Sequence, residues 1–147
     1  MKEFKGRVLA GGEKTLEAVV SRGGMNTLAT FQKSALMSAK QTVAADQNNP
    51  DLFGKNITGK ALCLPITIGS TTGGLVLQTA CSMGIAPAAL LFSEHIDSLA
   101  ASGVALAVIW ENSDLIAIDQ LGEEFLNTVQ TGDQLEIRAD GTVAILD

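Results

Sequence analysis

The sequence predicts an α/β domain with a mixed sheet. After Gly59 come short, nearly continuous apolar runs, "ALCLPI", "AALLFS", "VALAVIW" and "LIAID". Such runs suit strands covered on both faces, as in parallel sheets. Segments of helical spacing lie between them. The C-terminal part reads as a hairpin, "QLEIR" and "TVAILD" about the turn "ADG", where Asp140-Gly141 is a strong turn signal.

Taken in order, "KGRVLAG" and "TLEAVVS" read as short strands separated by the turn "GGEK", and "SRGG" is a further break. In residues 27–43, Phe31, Ala35, Leu36, Ala39 and Val43 fall at helical spacing and predict a short helix. "ADQNNPDLFGKN" is a polar loop in which Asn49-Pro50 favours a turn. Residues 72–83 form the next helix, with Leu75, Val76, Ala80 and Met83 on one stripe and Leu77 and Cys81 on another. A helix so widely apolar is mostly buried, and Gly84 is placed to end it. Asp97 reads as the N-cap of "SLAASG", which Gly103 ends. In "QLGEEFLNTVQ", Leu121, Phe125 and Val129 recur at i, i+4 and i+8, the stripe of another amphipathic helix.

The 147 residues fit one compact domain, residues 1–147, and the 46% hydrophobic content lets it fold without disulfides or metals. A net charge of −6, with lysines and arginines scattered singly, argues against nucleic-acid binding. "MKEFKGR" is too short and too soon charged for a signal peptide. No apolar run nears the roughly 20 residues that span a bilayer, which predicts no membrane partner. Cys63 and Cys81 fit no metal or redox spacing, so a reduced, cytoplasmic setting is expected.

The candidate site is "ITIGSTTGG", residues 66–74, between a strand and a helix. Gly69 allows a sharp turn, and Ser70, Thr71 and Thr72 bring hydroxyls to a helix start, where unpaired N–H groups and the dipole favour an anion. Gly73 and Gly74 each weaken the helix by roughly 1 kcal/mol relative to alanine, which points to a need for close approach. A P-loop is excluded because Leu75 and Val76 stand where Lys and Ser/Thr belong, and GxGxxG fails at Thr71. The residues alone leave two readings open, an active loop or a capping loop of small residues.

His95, in "SEHID", is the only histidine. It is a base, a phosphoryl acceptor or a plain surface residue, and the last is the simplest because a lone histidine carries no pattern. Both cysteines read as core residues. No second catalytic group lies near Ser70 in sequence, although a serine needs a base or an electrostatic setting to lose its proton. A catalytic Ser70 would therefore draw much of its setting from another chain.

Over most of its length the chain resembles the small, swivel-domain subunit of the aconitase X family. The resemblance rests on "GRVLAGG" and "EAVVS", "DLFGKNITGKALCLP", "GSTTGG", "APAALLF", "DSLAASGVALAVI", "TGDQLEI" and "DGTVAIL", in that order. It implies a single swivelling β/β/α domain within a two-chain hydro-lyase that dehydrates a small hydroxy acid. The large subunit would carry an iron–sulphur cluster and most of the pocket, with no cofactor in this chain. Ser70 would be the catalytic base removing a carbon-bound proton, and Gly69, Thr71 and Thr72 would shape the loop and hold an anionic substrate group. The substrates implied are cis-3-hydroxy-L-proline or mevalonate 5-phosphate. Ile68, where many members have Lys or Arg, tips the choice toward the unphosphorylated one. "NNPDLFG" departs from the family's His-Pro, and the segment from Thr30 to Thr42 is longer and more helical than the family's. The alternative is a non-catalytic scaffold, or a phosphoryl-carrier or binding module on the same fold, with His95 taking the phosphoryl group.

Overall fold

The computed structural model describes residues 2–37, 40–68, 73–96, 101, 104–105 and 114–146. Its strands are β1 (Lys2–Lys5), β2 (Arg7–Ala10), β3 (Lys14–Val20), β4 (Met25–Asn26), β5 (Ala61–Leu64), β6 (Thr67–Ile68), β7 (Ala89–Phe92), β8 (Ile116–Asp119), β9 (Gln134–Ile137) and β10 (Thr142–Ile145). The helices are α1 (Thr27–Leu36), α2 (Gly73–Ser82) and α3 (Glu123–Thr128).

Eight strands form one mixed sheet in the order β1-β10-β9-β3-β5-β7-β8-β2, and β4 pairs with β6 in a separate two-stranded ribbon. β3, β5, β7 and β8 run parallel, as the unbroken apolar runs predict. The β9–β10 hairpin is antiparallel, with Val143 opposite Ile137. The expected strand "KGRVLAG" is instead divided by Gly6 into β1 and β2, which lie at opposite ends of the strand order. One residue joins them, so the sheet curls until its two ends meet at that corner.

Gly6 suits the corner because nothing larger fits. Its N–H donates to Gly141 O at 3.1 Å. A Cβ there would overlap the Asp119 carbonyl oxygen and stand 2.7 Å from Ile118 Cγ2. Gly141, at φ +91, closes the hairpin against it, and a Cβ at Gly141 would lie 2.7 Å from Gly6 O.

Side chains of the parallel strands alternate between two cores. Ala61 and Cys63 of β5, Ala89 and Leu91 of β7, and Ile116 and Ile118 of β8 face one core with Phe125. Leu62, Leu64, Leu90, Phe92 and Ala117 face the other, with Phe31 of α1 and Leu77 and Ala80 of α2. Both faces are buried, which accounts for runs that lack polar alternation.

Two helix ends follow local chemistry. Asn26 Oδ1 accepts the Ala29 N–H at 3.0 Å, an N-cap for α1. α2 is terminated by Gly84 (φ +74), two residues past its last residue Ser82: Ile85 N donates to Ala80 O and Gly84 N to Cys81 O, the paired bonds of a Schellman motif. Met83, expected on a buried stripe, lies beyond the helix and is 37% exposed. Val104 and Ala105, expected to open a strand, are helical like Ala101, so no strand starts at Val104. Asp97, Gly103 and the remainder of "VALAVIW" lie outside the described residues.

Candidate functional site

The parallel strands place their carboxyl ends along one edge, where α/β sheets bind ligands. From β5 the chain passes through Pro65 and Ile66 into β6. Met25 of β4 pairs with Thr67 and Asn26 with Ile68, and Met25 N donates to Ile66 O at 3.0 Å. α1 follows β4 directly, and α2 begins at Gly73, five residues after Ile68. The two helices pack together, so the ribbon and both helices brace the two anchors of the candidate loop, Ile68 and Gly73. The residues between them, Gly69, Ser70, Thr71 and Thr72, lie outside the described residues.

On the neighbouring strands the same edge holds a cluster that sequence reasoning missed. Arg7 starts β2 directly opposite Asp119 at the end of β8. Arg7 Nε donates to Asp119 Oδ1 at 2.9 Å and Nη2 to Oδ2 at 2.7 Å, a bidentate pair. Asp119 is fully buried. Its Oδ2 also accepts the Ile96 N–H at 2.9 Å, tying down the turn after β7. Burial alone would push the Asp119 carboxyl up, but the bonds from Arg7 and Ile96 and the charge of Arg7 outweigh it and hold it below its ordinary value. The carboxylate in turn raises Arg7.

His95 is exposed and belongs to this cluster. Its Nδ1 lies 2.7 Å from Ile96 O, and a carbonyl oxygen only accepts, so Nδ1 carries the proton there. Nε2 faces Arg7 Nη2 at 3.3 Å. Glu94 N donates to Pro65 O at 3.2 Å and Ser93 N to Leu64 O at 3.0 Å, so the histidine turn is bonded to the strand that leads to the candidate loop. An acid ending an apolar strand was the available signal, since a buried carboxylate requires a partner.

A family model described as the aconitase X swivel domain matches residues 3–145. The chain belongs to the aconitase X swivel-domain family. Among relatives, it is 27% identical to the phosphomevalonate dehydratase small subunit of Methanocella arvoryzae, covering 99% of this chain and 98% of that one. It is 25% identical to the protein of the same name from Archaeoglobus fulgidus, covering 99% of each. The crystal structure of Thermococcus kodakaraensis aconitase X in its holo-form superposes with a TM-score of 0.83 over the full length of both chains, at 24% identity. The solution structure of a UPF0107 protein superposes with a TM-score of 0.78, also at 24% identity, over 99% of this chain and 100% of that one. These likenesses give the swivel-domain fold.

The described residues of this swivel domain do not fit an iron–sulphur cluster. No three His, Cys, Asp or Glu side chains among them converge as a metal site. Cys63 is buried in the core, where burial pushes its thiol well above the ordinary range and keeps it from acting as a thiolate. Cys81, on α2, packs against the opposite core. No helix among the described residues is long and apolar enough to cross a membrane.

Proposed function

We propose that the chain is the small subunit of an aconitase X-type dehydratase and supplies Ser70 to an active site shared with a large subunit. The observation that carries this reading is the family match over residues 3–145, joined to relatives covered almost end to end and named as small subunits. The braced anchors of the loop support it, because a reacting group on a strand–helix joint is best held by rigid elements.

On this reading Ser70 Oγ, as alkoxide, takes a proton from the carbon beside a carboxylate, and hydroxide leaves the adjacent carbon as the double bond forms. An alkoxide needs a dry, positively charged pocket to exist near neutral pH. A chain of net charge −6 does not supply that pocket alone, so the positive lining belongs to the large subunit. The iron–sulphur cluster belongs there too. Gly69 turns the loop, and Thr71 and Thr72 hold an anionic group of the substrate. The names of both relatives favour phosphomevalonate as that substrate, whereas Ile68 points to cis-3-hydroxy-L-proline; the assay runs both.

Purified alone, the chain is expected to fold and to lack dehydratase activity. Co-expression with its large subunit restores activity, and Ser70→Ala removes most of it, by roughly a hundredfold or more, the scale of losing a general base. Full activity in the Ser70→Ala complex would falsify the serine's role. Intact-mass measurement after incubation with a phosphoryl donor tests the carrier reading, which fails if His95 stays unmodified.

A further inference from the structure

The exposed side chains of Met37 (69% exposed), Val43 (47%) and Phe53 (50%) are brought together around one groove of about 270 Å³. Met37 directly follows α1, Val43 comes from the segment beyond, and Phe53 from the turn that follows Asn49-Pro50. The groove is preformed. Val43 N donates to Ser34 Oγ at 3.3 Å, Gly54 N to Ala44 O at 2.8 Å and Ala44 N to Lys55 O at 2.9 Å. Asn49, itself buried, accepts the Leu52 N–H at 3.2 Å and donates to Ser21 Oγ at 2.9 Å, which fixes the turn carrying Phe53. Exposed apolar side chains gathered on rigid backbone mark an interaction site better than scattered ones do.

In a chain of net charge −6, the one charged residue among the described residues lining the groove is a lysine. Lys33 lines the groove, and Lys40 and Lys55 stand next in sequence to its lining residues Gln41 and Gly54; all three lysines are exposed. Of the acids in the same segment, Asp46 is buried, its Oδ1 accepting the Asn48 N–H at 3.0 Å, and half-buried Asp51 is engaged by the Arg22 N–H at 2.8 Å. The complement is an apolar anchor flanked by carboxylates.

Position selects the occupant. α1 starts beside the ribbon that leads to the candidate loop and carries the groove at its other end. Its 10 residues, at a rise of about 1.5 Å each, span roughly 15 Å. A stable interface covers about 800 Å² on each partner, close to 30 Å across. A partner footprint of that width laid from the ribbon along α1 extends past the helix to the groove. We propose that the Met37–Val43–Phe53 groove receives an acid-flanked apolar segment of the large subunit, a claim that rests on the function proposed above.

Affinity of the purified chain for its large subunit, measured by biolayer interferometry at two salt concentrations, tests this. Met37→Gln with Phe53→Gln is expected to weaken binding by about tenfold or more, as expected for truncated interface anchors, with an unchanged melting temperature. Lys33→Glu is expected to slow association and flatten its salt dependence. If the wild-type pair associates and the double variant binds equally well, the groove assignment is overturned and the two-subunit reading stands. If the wild-type pair does not associate, both fail. A wild-type chain that self-associates through the groove, in a manner the double variant abolishes while large-subunit affinity is unchanged, assigns the groove to a second copy and overturns the proposal.

Discussion

Asp119 is a buried anion with every described contact directed at holding its charge: two guanidinium bonds from Arg7 and one from the Ile96 N–H. Because its folded pKa is depressed, its contribution to stability is present above the ordinary carboxylate range, near 3.9, and is lost as pH falls through the folded value. Asp119→Asn is expected to cost about 2–3 kcal/mol at pH 7, the scale of losing a charged hydrogen bond and leaving a buried donor poorly paired. It should also make acid unfolding shallower, read by circular dichroism between pH 6 and pH 2. An unaltered acid limb would show that other carboxylates govern it. This pair was not legible in the sequence, because 112 positions separate Arg7 from Asp119 and periodicity reports only local neighbours. Around Ser70, what was legible is the family. The loop's residue types alone left a cap and a site equally open, and the order of motifs around it supplied the family that the match over residues 3–145 establishes.

At the scale of elements, α3 shows how far periodicity reaches. Leu121, Phe125 and Val129 are all buried on one side as their spacing predicts, but the helix holds only Glu123–Thr128. Gly122 (φ +97) starts it late and Val129, in extended conformation, ends it early. A burial stripe is thus readable where the backbone limits are not, since those depend on what the ends pack against. Glu123 and Glu124 in the first turn favour the positive end of its dipole. Phe125 meets the Phe4 ring edge-on, centroids 5.4 Å apart at 70°, which fastens α3 to β1. Phe125→Ala is expected to cost about 3–5 kcal/mol in chemical denaturation. A double-mutant cycle with Phe4→Ala should return a coupling of about 0.5–1.5 kcal/mol. Strict additivity of the two losses would mean that the rings stabilise independently.

For the molecule as a whole, the closure at Gly6 is the decisive joint. Gly6→Val is expected to force the corner apart, costing about 3 kcal/mol or more beyond ordinary overpacking because the obstructing atom is the Asp119 backbone carbonyl. Gly23→Ala is the matched control, since an added Cβ there meets nothing within 4 Å, and its melting temperature should stay near wild type. Equal stability of the two variants would show that the sheet closes without the tight corner. The run "KGRVLAG" gave no sign of this division, because a bend at one glycine leaves the apolar pattern on each side intact. The joint also bears on how the chain is made. Residues 2–5 pair with residues 142–145, and Arg7 waits for Asp119. During synthesis β1 stays without its partner until β10 has emerged, and β2 until β8 has. Folding dominated by such distant pairings is slow, so the edges of β1 and β2 are the ones left open longest to pairing with other chains.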